Sequence, residues 1–167
     1  MQDIAKLIAG FRQFQNNYFQ RDNELFSQLK KGQQPKTLVI AFSDSRVDPS
    51  LLTRSEPGDI FVVRNVANLV PPYEPDARYH GVSSALEYAV CHLEVEHIIV
   101  LGHSQCGGIA GLMNSECDCD LGEFIGRWVK IAAPAKEQVK QQLPGKSVEL
   151  QTSACEQAAI MLSLDNL

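Results

Sequence analysis

His103 and Cys106 stand three residues apart in the stretch Gly102-His103-Ser104-Gln105-Cys106-Gly107-Gly108. Imidazole nitrogen and thiolate sulfur are donors that zinc takes, and three protein donors plus a water make a catalytic zinc site. A His-x-x-Cys step alone supplies half of such a site. Gly107 and Gly108 follow at once. Lacking a Cβ, they let backbone N–H groups approach a bound anion and open the next helix with its positive end toward the site. Far upstream, Ser43-Asp44-Ser45-Arg46 sets a carboxylate and a guanidinium two residues apart, within reach of a bidentate ion pair. Taken singly, the first pattern reads rather as a strand-end histidine beside a buried thiol, and the second rather as a solvated salt bridge. Their joint occurrence at two strand ends describes a polar site with a metal-binding half and a paired-charge half.

The elements that must position these residues follow from the apolar pattern. Leu38-Val39-Ile40-Ala41-Phe42 has the length and β-branched character of a buried strand, and Thr37 to Pro49 breaks from it into small and charged residues. Ile60 to Val63 reads as a second strand ending in Arg64-Asn65. His97 to Leu101 reads as a third, and as the most buried of the three. In open α/β sheets, sites form where the carboxyl ends of strands meet their loops.

Between the strands the period is helical. Residues 1–31 carry Ile4, Leu7, Ile8, Phe11, Phe14, Tyr18, Leu25, Phe26 and Leu29 mostly at three- and four-residue steps, and Gly32 to Pro35 is a turn. Pro49 starts a short helix through Thr53, and Glu56 to Asp59 is a turn. Residues 68–77 form a loop stiffened by three prolines. Val82 to Leu93 is a helix with Ser83 or Ser84 as its cap. A helical turn from residue 109 leads into the polar surface loop Cys117-Asp118-Cys119-Asp120. Leu121 to Gln142 is a helix kinked at Pro134, and Val148 to Leu167 is a last helix. Strands alternating with helices predict an α/β fold: a mostly parallel β-sheet flanked by helices. The expected organisation is an N-terminal helical arm over 1–31 and a single α/β domain over 32–167. The arm's apolar face is expected to pack on a neighbouring subunit rather than on its own domain.

Composition narrows the class. A chain of 167 residues with 44% hydrophobic and 21% charged residues supports one core of ordinary globular balance. The net charge of -5 disfavours a nucleic-acid partner. No basic run, signal pattern or apolar run of spanning length points to a membrane. Five cysteines, an odd number without framework spacing, predict free thiols in a reducing, cytoplasmic compartment.

Three blocks together carry a family resemblance. Ser43-Asp44-Ser45-Arg46-Val47, Val63-Arg64-Asn65-Val66-Ala67-Asn68 and Gly102-His103-Ser104-Gln105-Cys106-Gly107-Gly108 resemble, in order and separation, the signature blocks of the β-class carbonic anhydrases. Leu69-Val70-Pro71-Pro72-Tyr73 is similar to the plant-like branch. The resemblance implies reversible hydration of carbon dioxide to bicarbonate at a zinc ion, in a homodimer or higher homo-oligomer. It implies His103 and Cys106 as zinc ligands. Asp44 would accept a hydrogen bond from the zinc-bound hydroxide, held by Arg46. Gln33 would hydrogen-bond substrate across a dimer interface. Phe61, Val66 and Tyr88 would line the apolar pocket for carbon dioxide, with the Gly107 backbone at its edge. On the residues alone, Phe61, Val66 and Tyr88 read as core.

The resemblance also implies a cysteine ligand immediately before Ser43, and this chain has Phe42 there. Phenylalanine cannot coordinate a metal. Three outcomes follow. Asp44, His103 and Cys106 could form the three-ligand site; Cys117 or Cys119 could substitute; or the site is metal-free, with the phenyl ring filling the space. Hydration is therefore expected to be impaired or altered, and the alternative is a non-catalytic scaffold or anion-binding subunit. The family pattern continues past a segment like Ser163-Leu164-Asp165-Asn166-Leu167 into a further strand. Without it, an open sheet edge or a different assembly is expected. Members with an inhibitory bicarbonate site pair an arginine, matched by Arg64, with a tryptophan where this chain has Val39, so that regulation is not expected.

Overall fold

Strand β1 (Thr37–Phe42) has no polar side chain from Leu38 onward, and every residue from Leu38 to Phe42 is buried. The computed structural model, which describes residues 2–19, 24–76, 79–116 and 121–167, explains why. β1 lies between β2 (Ile60–Asn65) and β3 (His97–Val100) in the order β2-β1-β3, parallel to both. A parallel strand with neighbours on both edges and helices over the sheet has no wet face, so an unbroken apolar run is what it needs. The register pairs Leu38 with Phe61 and Ile98, and Phe42 with Asn65. The α/β sheet expected from the alternation of strands and helices is thereby borne out.

The expectation that the third strand is the most buried is corrected. His97 and Ile99 of β3 are exposed, and Ile98 and Val100 are half-buried. An apolar run records only what a strand can bury. Whether it is central or at an edge depends on pairing, and β1 holds the middle.

Helix boundaries follow local chemistry. Helix α3 (Pro49–Thr53) is capped by Asp48, whose carboxylate accepts the N–H groups of Ser50 and Leu51 at 3.0 and 3.3 Å. Pro49 stands in its first turn, where no amide proton is needed. Helix α4 (Gly81–Glu87) begins after His80, so Ser83 and Ser84 fall inside it and do not cap it. It runs into a π-helical turn over Tyr88–His92. Helix α5 (Gly107–Asn114) starts at the glycine pair. The expected kinked helix over 121–142 is divided into α6 (Ile125–Val129), a 3-10 turn (Lys130–Ala132) and α7 (Ala133–Gln142), with Pro134 in the first turn of α7. Helix α8 (Val148–Asp165) is capped by the Ser147 hydroxyl, which accepts the Leu150 N–H at 3.3 Å.

One apolar cluster joins Leu38 and Ile40 of β1 to Val70 and Ala89. A second gathers Leu69, Ile109, Val129, Val139, Cys155 and Ala159 from the segments around α5 to α8. The end of α8 pins the segment after β2: the Val70 N–H donates to Ser163 Oγ at 3.2 Å, and Asn166 Nδ2 donates to the Val70 carbonyl at 2.8 Å.

By its internal contacts the chain divides into residues 1–34 and 35–167. The first unit holds α1 (Gln2–Tyr18) and α2 (Glu24–Leu29). In it Phe14 gathers Tyr18, Phe19 and Phe26, with ring centroids at 4.9, 5.7 and 5.7 Å. Among the described residues no helix is long and apolar enough to cross a membrane.

Candidate functional site

The carboxyl ends of β1 and β3 are adjacent because the two strands pair in parallel, and their loops meet. After β1 the chain turns through Ser43 to Asp48, with the Ser43 N–H donating to the Asn65 carbonyl at 2.9 Å. Within that loop Asp44 and Arg46 form the expected bidentate pair. Arg46 Nε donates to Asp44 Oδ1 at 2.9 Å and Nη2 donates to Oδ2 at 2.7 Å. The Arg46 backbone N–H adds a third bond, to Oδ1 at 2.9 Å. These bonds, the side-chain ones first, hold the Asp44 carboxyl far below the usual carboxylate range. Asp44 in turn raises the pKa of the Arg46 guanidinium.

Arg46 also joins the two loops, donating from Nη2 to the Gln105 carbonyl at 3.1 Å. Gln105 has φ of 56°, in the left-handed region, as the chain reverses from β3 into α5. His103 is only 10% exposed at its side chain. Its Nδ1 is 2.8 Å from the Ser104 carbonyl, which can only accept, so that nitrogen carries the proton. Its Nε2 faces Asp44 Oδ2 across 3.8 Å, too far for a hydrogen bond.

Cys106 is buried and immediately precedes α5. Its N–H donates to Glu156 Oε1 on α8 at 2.7 Å. Gly107 opens the helix with free space where a Cβ would stand, whereas a Cβ on Gly108 would come 2.8 Å from Val66 Cγ1 and 3.2 Å from Ala67 Cβ. The 3-10 turn Val66–Asn68 thus lies directly against α5. Ala67 and Asn68 there hold φ of 65° and 47°. Asn65 Oδ1 accepts the Leu69 N–H at 2.8 Å, and Trp128 Nε1 donates to the Val66 carbonyl at 2.7 Å.

Asp44, Arg46, His103, Cys106, Gly107 and Val66 therefore belong to the loops and turns at the carboxyl ends of the strands. Phe61 does not. The register sets it opposite Leu38, four residues before Asn65 on β2, or roughly 13 Å back along the strand. It packs there on Tyr88, ring centroids 5.9 Å apart. Gln33 lies in the 1–34 unit and is exposed.

Among the described residues, the side chains near His103 and Cys106 do not make up a three-ligand zinc centre. The ring of Phe42 lies 4.4 Å from that of His103, centroid to centroid. Asp44 is taken up by three hydrogen bonds from Arg46. Among the described residues no group of three or more His, Cys, Asp or Glu is placed to hold a metal ion. Cys117 and Cys119, the alternative thiols, lie outside the described residues.

Sequence reasoning missed Arg64, Glu156 and Trp128 as supports of this site. A charge at the end of an apolar strand was a visible signal for Arg64. Nothing in spacing ties Glu156 or Trp128 to residues so far away in the chain.

Residues 37–167 match the family described as carbonic anhydrase. The chain is 43% identical over 166 residues to "Beta carbonic anhydrase 3" of Arabidopsis thaliana, covering 98% of this chain and 64% of that protein. Its fold is similar to that of the β-carbonic anhydrase CcaA, with a TM-score of 0.89 and 37% identity over 99% of this chain and 74% of the other. It is also similar to one of two tetrameric β-carbonic anhydrases from the ascomycete Sordaria macrospora, with a TM-score of 0.73 and 30% identity over 99% and 79% of the two chains.

Proposed function

Because this chain belongs to the β-class carbonic anhydrase family, we propose that its strand-end loops form a carbon dioxide/bicarbonate site in which zinc-dependent hydration is crippled by Phe42. The observation that carries this reading is the Phe42 ring seated against His103. Zinc catalysis needs three protein donors and an open position, and His103 with Cys106 supplies two donors. What remains is a fixed carboxylate at Asp44, a guanidinium at Arg46 and an uncluttered backbone at Gly107. Such a set suits the binding of a small polar substrate more than its turnover.

Assembly as a homo-oligomer is part of this reading. Tetrameric relatives support it. On this reading Phe61 and Tyr88, which pack on each other away from the Asn65 end of β2, would line the pocket of a second copy. The odd number of cysteines suits a reducing, cytoplasmic setting.

A second reading, a non-catalytic scaffold or anion-binding subunit, is favoured by the near-complete burial of Phe42, 1% exposed. One experiment separates the two. Zinc content by mass spectrometry and carbon dioxide hydration by stopped flow are measured on the parent and on Phe42→Cys. The impaired-site reading expects little zinc and a rate near buffer for the parent, with about one zinc per chain and a rate higher by orders of magnitude for the variant. If the variant gains neither, the scaffold reading stands. A parent that already matches the variant in both would sink the impairment.

A further inference from the structure

We propose that Arg64 is the positioning residue of the Asp44–Arg46 pair, a side chain from the neighbouring strand that fixes the backbone on which the pair stands. Arg64 is the fifth residue of β2, in register with Ala41 of β1. Its guanidinium serves four acceptors. Nε donates to the Phe42 carbonyl at 2.9 Å. Nη2 donates to the carbonyls of Asp44 and Val47, both at 3.0 Å. Nη1 meets Asp48 Oδ2 at 2.9 Å.

Three of those acceptors are backbone carbonyls spread from the last residue of β1 through the loop. The fourth is the carboxylate that caps α3. One planar group thus ties the end of a central strand, the loop and the start of the next helix. Arg64 bonds the carbonyl of Asp44 and leaves the carboxylate to Arg46, so it acts on the pair through the backbone.

The chemistry requires arginine. A guanidinium presents donors in a rigid fork that reaches several acceptors at fixed angles, whereas a lysine ammonium is a point charge on a flexible stem. Donors carrying charge also make stronger bonds to carbonyls than neutral ones do. Among the described residues, the loop is also tied across the sheet by the Ser43 N–H to the Asn65 carbonyl and by Arg46 to Gln105, and the second depends on Arg46 already being in place. Asn65 is itself the residue after Arg64. The end of β2 therefore sets where the carboxylate of Asp44 stands relative to His103.

The proposal rests on reading Asp44 and Arg46 as the working pair of the site. Its test reads their geometry and not hydration, so the two can fail separately. The Arg46 Nε–H resonance and the amide exchange of residues 43–48 are compared by NMR in the parent, Arg64→Lys, Arg64→Gln and Asp48→Asn. With either Arg64 substitution, the Arg46 Nε–H signal is expected to shift or vanish. Loop amides should exchange faster by about tenfold or more while those of α8 hold their rates. Asp48→Asn, which removes only the ion pair, is expected to leave the Arg46 signal in place. An unchanged Arg46 signal and unchanged loop exchange in both Arg64 variants overturn the proposal. It is equally overturned if Asp48→Asn releases the pair as fully as Arg64→Lys does. Should the Arg64 variants fail to fold, exchange of the Arg64 Nε–H in the parent decides. Protection equal to that of the loop amides supports the clamp, and exchange at the solvent rate refutes it.

Discussion

The phenyl ring of Phe42 meets the imidazole of His103 edge-on, with centroids 4.4 Å apart and planes at 64°. Phe42 is the last residue of β1 and His103 lies three residues past the end of β3, so the parallel pairing of the two strands brings the strand end and the loop together. The contact joins an apolar core to a polar site at one residue. An aromatic pair in this geometry contributes about 0.5–1.5 kcal/mol beyond the area it buries. Phe42 therefore holds His103 by packing.

Phe42→Ala should cost about 3–5 kcal/mol, because a fully buried ring leaves a cavity that the pinned end of β1 cannot close. Phe42→Leu should cost less, since it keeps much of the volume. Phe61→Ala, at a half-buried position, should cost less than Phe42→Ala. Urea unfolding of the three variants checks the order. Equal midpoints for Phe42→Ala and the parent would show that the ring is not structural.

The three strands and most helix positions were legible because each is written locally. The run from Leu38 to Phe42, the Asp48-Pro49 start of α3 and the glycines opening α5 need no knowledge of the rest of the chain. The Asp44–Arg46 pair was legible for the same reason. What could not be read was whatever depends on pairing. An apolar run does not say whether it is an edge, so β3 was ranked above β1. Likewise the sequence does not say which end of β2 Phe61 occupies relative to β1, and the register sets it opposite Leu38. The supports Arg64, Glu156 and Trp128 act across 22, 50 and 62 residues of chain, where periodicity carries no information.

The Asp44 carboxyl should stay ionised through the pH range in which ordinary carboxylates protonate. Its folded pKa is depressed, first by the side-chain bonds from Arg46 and then by the Arg46 amide. A depressed acid stabilises the fold fully above its unfolded pKa of about 4, and the contribution is lost as pH falls through the folded value. Carboxyl carbon shifts followed by NMR should show no Asp44 titration between about pH 5 and pH 3. In Arg46→Gln the titration should move back up toward the ordinary range. Titration of the parent near pH 4 would contradict the bidentate geometry.

The described thiols should differ sharply in reactivity. Cys91 is exposed, whereas Cys155 is fully buried in the apolar cluster that includes Ile109 and Val139. Burial, with a smaller push from Glu156, raises the Cys155 thiol to about 11. Since the neutral form is the one the fold favours, this group stabilises below its unfolded pKa and the benefit fades as pH rises through the folded value. At pH about 8, iodoacetamide followed by mass spectrometry should modify Cys91 early and Cys155 only at the rate of global opening. Early labelling of Cys155 would mean that α8 leaves the core far more readily than its packing implies.

Gly108→Ala should be worse tolerated than Gly102→Ala, although both would bring a Cβ under 3 Å from a neighbour. At Gly102 the nearest atom is Ile160 Cδ1 at 2.7 Å, the far end of a flexible side chain that can rotate away. At Gly108 the obstacles are Val66 Cγ1 at 2.8 Å and Ala67 Cβ at 3.2 Å, one on a stiff β-branched residue and the other fixed to the backbone. That backbone cannot yield easily. Ala67 and Asn68 already hold left-handed φ, Asn65 ties the turn to Leu69, and Trp128 holds the Val66 carbonyl. Overpacking there should cost about 1–3 kcal/mol, and Gly102→Ala less. The same step should strain the Trp128 bond. Trp128 is the one tryptophan in the chain, so its fluorescence reports the turn directly. A shifted native emission in Gly108→Ala, with the Gly102→Ala spectrum unchanged, is the expected result. Identical spectra and melts for the two variants would mean that α5 is free to move off the Val66 turn, and that the close approach of the two loops is not what shapes the site.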